Sequence, residues 1–204
     1  MHRNIFKDIK LQTLKNYWEA YSPRFSSAWL LAAIATGAVL LCLQLHFRER
    51  ERRSRRYVRG ALCGALCAAY AVLLIGALVA GRSTGARGVR LAPFWSYRAY
   101  FAGSLDLLYV NLFNILLFVP IGFLLYIWNR DLSGRKTPAR RTLFAGFLFS
   151  FALELMQLIF SRGLAELDDV INNTIGTALG ILLAVGTAKI YNYVVKWTVR
   201  RTDR

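Results

Sequence analysis

The chain has 204 residues, of which 56% are hydrophobic, and it carries a formal net charge of +16. Its mean hydropathy of +0.37 places it among integral membrane proteins and excludes an ordinary soluble domain. The charge does not indicate a nucleic-acid-binding protein, because the arginines cluster in short segments between apolar stretches. Arginines in such segments set the orientation of membrane helices.

Five apolar stretches are long enough to span a bilayer, which takes roughly 18 or more residues. They are Phe25–Phe47, Tyr57–Ala80, Leu107–Trp128, Thr142–Phe160 and Val170–Ala188. We therefore expect an all-α fold, a polytopic integral membrane helical bundle of about five transmembrane helices. The chain outside these stretches is too short for a separate soluble domain.

The arginine-rich blocks at 48–56, 130–141 and 189–204 fall on the same side of a five-helix bundle. The positive-inside rule makes that side cytoplasmic, which predicts an N-out, C-in topology. Basic residues among the first 24 positions argue against this orientation. Anionic phospholipid headgroups are the expected partners of the cytoplasmic arginines.

The chain divides into four parts. Residues 1–24 are an N-terminal segment, either an interfacial helix lying on the membrane or a partly ordered tail. Residues 25–80 supply two transmembrane helices, 81–188 the main membrane domain, and 189–204 a basic cytoplasmic tail. The main domain opens with a stretch that is first polar and then aromatic. This pattern predicts that the chain returns to the outer membrane interface, where the aromatic residues would form either an ordinary aromatic belt or a lid over a ligand.

The third span carries two asparagines and a proline. Asn111 and Asn114 are three residues apart and share a helix face. Their simplest role is hydrogen bonding between helices. Pro120 removes one backbone hydrogen bond, so we expect a kink near the middle of this helix.

Glu154 is the most informative residue, because a carboxylate inside an apolar span is expensive and usually faces a bundle interior or a water-filled cavity. At about 1.5 Å per residue, Glu154, Asn173 and Asn114 lie at similar depths, roughly 7–12 Å from the outer ends of their helices. This predicts a shallow polar pocket open to the outer face, although the same side chains would also serve merely to hold helices together. The candidate ligand-binding residues are Asn114, Glu154, Gln157, Arg162, Asp168, Asp169 and Asn173.

Other residues have expected structural roles. The Gly176-x-x-x-Gly180 spacing lets another helix approach closely. The three cysteines all lie within predicted spans, and we interpret them as small apolar residues that pack between helices. We expect no disulfide, no metal and no cofactor.

Several ordered motifs resemble those of the VanZ-like family. Residues 114–122 (NILLFVPIG) resemble its N-x-L-L-F-x-P-x-G signature, and residues 154–157 (ELMQ) resemble its E-x-x-Q. Residues 162–180 resemble its R-x-x-D-x-D-D-x-x-x-N-x-x-G-x-x-x-G segment, with one extra residue and with Glu166 where aspartate is usual. Residues 91–94 (LAPF) resemble its N-L-x-P-F, but Arg90 replaces the asparagine. The resemblance covers roughly residues 90–184. It implies structural rather than ligand-binding roles for Pro93, Phe94, Pro120, Gly122, Gly176 and Gly180.

The resemblance implies a multi-pass protein of the bacterial plasma membrane, and its name-giving members are associated with teicoplanin resistance. We expect a protein that binds a lipid-linked cell-envelope component or a lipophilic glycopeptide at the outer leaflet. The alternative is an integral-membrane enzyme acting on a polyprenyl or lipid phosphate, with Glu154, Asp168 and Asp169 as general base or Mg²⁺ ligands. The absence of a nearby histidine and of a recognised phosphatase motif makes binding the preferred interpretation. A transporter ranks third, since no inverted repeat is visible.

Overall fold

The computed structural model describes residues 27–47, 55–80, 87–133 and 138–202. The predicted N-terminal segment, 1–24, lies outside these residues. The helices are α1 (Ser27–Phe47), α2 (Arg55–Ile75, continued by a π-helical turn over Gly76–Ala80), α3 (Trp95–Phe101), α4 (Leu105–Ser133), α5 (Pro138–Ile159) and α6 (Leu167–Thr202). Two short strands are β1 (Arg87–Arg90) and β2 (Gly163–Glu166).

The fold is a helical bundle, as the apolar stretches predicted. Among the described residues, four helical segments are long and apolar enough to cross a membrane: Arg56–Ala80, Asp106–Leu132, Pro138–Ile159 and Leu167–Ile190. Helix α1 covers the first predicted span. Within the residues of α1 whose side chains the structure describes, the apolar helical segment is Leu30–Leu40, which is shorter than a span, so a fifth crossing stays a prediction. The observed helices extend beyond most predicted spans, and α6 runs through the predicted tail to Thr202.

The arginine-bearing ends of α2 and α4 lie side by side. Arg59 Nε is 2.6 Å from Asp131 Oδ2, and Arg130 Nε is 2.9 Å from Asp131 Oδ1. At the opposite end of the bundle, Gln157 Nε2 donates to the carbonyl oxygen of Leu78 at 3.2 Å. The bundle therefore has one arginine-rich end and one end at which the polar side chains of the predicted site lie.

Helices α4 and α6 pack with their backbones in close contact. A Cβ atom on Gly176 would overlap the carbonyl oxygen of Ile115, and one on Gly180 would overlap that of Val119. From the α4 side, Gly122 lies against the backbone of Thr177 in the same way. Helix α4 continues through Pro120 as a single element.

The sequence did not predict the two strands. They pair in parallel, with Arg87 opposite Gly163 and Arg90 opposite Glu166. Gly163 has a φ of 147°, a conformation that glycine adopts readily. The pair joins the segment before α3 to the loop between α5 and α6, and so holds the predicted outer segment against the bundle.

Candidate functional site

Hydrogen bonds to Asp168 hold the segment around Pro93 against the start of α6. Its side chain is 1% exposed. Oδ1 accepts a hydrogen bond from the backbone N–H of Phe94 at 2.6 Å, and Oδ2 accepts from the backbone N–H and the hydroxyl of Ser96 at 2.9 and 2.6 Å. Phe94 has a φ of 56°, which turns the chain sharply into α3. The carboxylate thus satisfies N–H groups at the start of α3 that have no partner within the helix.

The same network continues between α4 and α6. Asn111 Nδ2 donates to Ser96 Oγ at 3.1 Å, and Asn172 Nδ2 donates to Asn111 Oδ1 at 2.9 Å. The hydroxyl of Tyr97 donates to Asn172 Oδ1. Burial and the nearby Asp168 carboxylate raise the pKa of Tyr97, so its hydroxyl remains a donor at neutral pH. This network joins three helices through satisfied buried polar groups.

A second group of polar side chains lies between α5, α6 and α4. Glu154 is 6% exposed, and its Oε2 accepts from the backbone N–H of Glu166 at 3.0 Å. Asn173 Nδ2 donates to Ser150 Oγ at 2.8 Å, and Asn114 Nδ2 donates to Asp169 Oδ1 at 2.7 Å. Because Ser150 is one turn from Glu154 and Asn173 is one turn from Asp169, these contacts place the polar side chains of the three helices at similar depths.

Two arginines lie beside this group, at the end of the bundle opposite the arginine-rich end. Arg90 Nη1 is 3.1 Å from Glu166 Oε1, and its guanidinium lies 3.9 Å from the ring centroid of Trp95. Arg162 Nη1 donates to the carbonyl oxygen of Ala80 at 3.5 Å. Arg90 and Glu166, the two departures from the VanZ-like motifs, therefore contact each other.

An apolar groove of about 210 Å³ runs beside Glu154. Side chains from α5, β1, β2 and the start of α6 line it, and two carboxylates, Glu154 and Glu166, belong to its lining. Phe151 and Leu155 lie along its α5 side and are 52% and 45% exposed, so the groove opens onto the face that lipid would cover. The groove thus brings a buried carboxylate to the edge of an apolar surface.

The structure brings the predicted site residues to one end of the bundle but gives them different environments. Three donors surround the oxygens of Asp168, which suits a scaffold role rather than cation binding. Glu154 borders the groove. Among the residues that the structure describes, Gln157 and Asn173 each have one buried amide oxygen without a hydrogen-bond partner. Within the described part of the chain, no three or more His, Cys, Asp or Glu side chains are grouped to hold a metal ion.

Sequence reasoning missed Ser96, Tyr97 and Ser150 as members of these networks. Ser150 lies four residues before Glu154, on the same face of an otherwise apolar helix, so helical spacing was an available signal. Ser96 and Tyr97 gave no such signal, because they contact α4 and α6 across 15 and 75 residues of sequence.

Comparison with known proteins identifies the family of the chain. No curated protein and no solved structure matches the chain. The model of the family described as VanZ/LLP1 matches residues 62–190, which is more than half of the chain and extends further towards the N-terminus than the motif resemblance. The match includes both polar networks, the groove and the packed glycines, and so the chain belongs to the VanZ/LLP1 family of membrane proteins.

Proposed function

We propose that this VanZ-like membrane protein binds an amphiphile at the outer leaflet, either a lipid-linked component of the cell envelope or a lipophilic glycopeptide. The observation that carries the proposal is the apolar groove with Glu154 in its lining. A charged side chain at this depth is costly, so its position beside a lipid-facing groove favours a functional role.

The size of the groove favours a particular mode of binding. A volume of about 210 Å³ is below the roughly 300–1,000 Å³ typical of sites that enclose a whole drug-sized ligand. A segment of hydrocarbon chain would fill it, with the rest of the amphiphile outside. The polar part would then lie near Arg90, Arg162 and the outer interface.

Glu154 belongs to the lining of the groove, but the accessible surface of the groove is apolar and the carboxylate lies behind it. A bound amphiphile that parted this apolar surface would reach the carboxylate, whose oxygens accept hydrogen bonds from hydroxyl, amide or ammonium groups. Sugars and peptides, which form the polar parts of lipid-linked envelope components and of glycopeptides, carry such donors. Glu154 would thus select amphiphiles that present a donor just above the chain.

The test is native mass spectrometry of the purified protein, asking which lipid it retains. Leu158→Trp would fill the groove from α5. Leu116→Trp is the matched control, because Leu116 is an exposed leucine on α4 that does not line the groove. Wild type and Leu116→Trp should retain a lipid-linked species, and Leu158→Trp should lose most of it.

Equal retention by both tryptophan variants would contradict binding in the groove, as would the recovery of bulk phospholipid alone. Chemical conversion of the retained species over time would instead support the alternative function, an enzyme acting on a polyprenyl or lipid phosphate.

A further inference from the structure

A second and larger cavity lies near the arginine-rich end of the bundle, away from Glu154. It measures about 650 Å³ and is lined by Arg140, Arg141, Leu143, Phe144, Phe147 and Thr174. The first five residues belong to the first three turns of α5, and Thr174 belongs to α6. The cavity therefore lies against two neighbouring helices and shares no lining residue with the groove beside Glu154.

The chemistry of the cavity changes along its length. Arg140 and Arg141 occupy its end at the start of α5, and among the described residues neither has an ion-pair partner. Phe144 and Phe147 follow at one-turn spacings and are exposed, Phe144 to 61%. From Arg140 to Phe147 the cavity extends about 10 Å along the helix axis. The two guanidinium groups thus lie at one end of an apolar wall that extends towards the middle of the span.

We propose that this cavity binds one anionic phospholipid of the leaflet at the arginine-rich end. The phosphate would contact the guanidinium groups of Arg140 and Arg141, and one acyl chain would lie along Phe144 and Phe147. Basic pockets between transmembrane helices are a known geometry for binding phospholipid headgroups. The volume lies within the range of sites that bind a whole small ligand. The site is independent of the function proposed for the groove.

The test compares the purified full-length protein with phosphatidylglycerol or phosphatidylcholine, counting bound lipids by native mass spectrometry. Wild type should bind one phosphatidylglycerol in preference to phosphatidylcholine. Each guanidinium near a membrane surface contributes about a factor of five in affinity, so Arg140→Gln/Arg141→Gln should weaken this binding roughly 25-fold. Arg56→Gln/Lys189→Gln removes the same charge from the same end of the bundle, outside the cavity, and should leave binding within about twofold.

Equal losses in the two double variants would overturn the proposal, because they would reflect the general charge of this end of the bundle. Inorganic phosphate forms a separate arm of the experiment. If phosphate stabilised the protein against heat as well as phosphatidylglycerol does, the cavity would be an anion site without a lipid chain.

Phe144→Ala tests the apolar wall and keeps the proposal testable if the arginine variant does not fold. The exposed Phe144 ring contributes little to internal packing, so this variant should fold. It should weaken phosphatidylglycerol binding severalfold without changing any response to phosphate. Unchanged lipid binding in Phe144→Ala would contradict the assigned position of the acyl chain.

Discussion

Two carboxylates with similar sequence signals, Glu154 and Asp168, differ in what surrounds them. Asp168 accepts three hydrogen bonds from the segment that begins α3, so its oxygens stabilise the fold. Glu154 accepts a hydrogen bond from the backbone N–H of Glu166 and belongs to the lining of an apolar groove. The two residues should therefore respond differently to substitution.

Glu154→Gln should abolish the contribution of the protein to glycopeptide or envelope-stress tolerance while leaving expression and melting temperature close to wild type. Glutamine keeps the size and most hydrogen bonding of glutamate but removes the charge. Asp169→Asn should behave similarly, because Asp169 lies at the same depth on the neighbouring helix. The measurement is antibiotic sensitivity of a deletion strain complemented with each variant at matched membrane levels.

Full complementation by both amide variants would exclude a functional charge. In that case Glu154 would only hold helices together, a role in which an amide serves almost as well, since such hydrogen bonds average about 0.6 kcal/mol.

Asp168→Ala should instead destabilise the protein, lowering its free energy of unfolding by about 2–4 kcal/mol. The substitution leaves the partly buried N–H of Phe94 and the buried donors of Ser96 without their acceptor. Asp106→Ala is the control, because Asp106 is an exposed carboxylate in the first turn of α4. Thermal unfolding in detergent measures both variants, and equal melting temperatures would contradict the scaffold role of Asp168.

At the scale of elements, the contact between α4 and α6 depends on glycines that face carbonyl groups. A backbone oxygen cannot move aside as a flexible side chain can, so any Cβ at Gly176 or Gly180 forces the helices apart. The β1–β2 pair is a second contact between elements. In it, Arg90 and Glu166 lie opposite each other on the two strands, and their side chains form an ion pair.

Gly176→Leu and Gly180→Leu should each lower the free energy of unfolding by about 1–3 kcal/mol or more and reduce the yield of folded protein. Gly186→Leu is a matched control on the same helix, because a Cβ at Gly186 meets no atom of the described residues within 4 Å. Melting temperatures and membrane yields check the prediction. If all three variants behaved alike, the close α4–α6 contact would be wrong.

For the whole molecule, the bundle separates an arginine-rich end from the end with the polar networks. A cysteine replacing Ser133, at the end of α4, should be protected from impermeant thiol reagents in intact cells. A cysteine replacing Ser161, between α5 and β2, should react. The background variant lacks Cys42, Cys63 and Cys67. The opposite labelling pattern would refute the N-out, C-in orientation.

Apolar length, arginine distribution and ordered motifs allowed the sequence alone to predict the membrane bundle, the family and the polar residues around Glu154. These features are local, because span length and helical spacing follow from neighbouring residues. The same spacing indicated that Asn114, Glu154 and Asn173 share a depth. It could not say which of them borders a cavity.

Only the tertiary structure assigned the polar residues to separate tasks. Asp168 meets Phe94 and Ser96 across more than 70 residues of sequence, and the groove requires both β1 and α5. The parallel β1–β2 pairing joins segments equally distant and has only four residues in each strand, too few for a periodic signal. Such long-range contacts depend on how the helices pack, and therefore the roles of Asp168 and Glu154 became distinct only in the folded bundle.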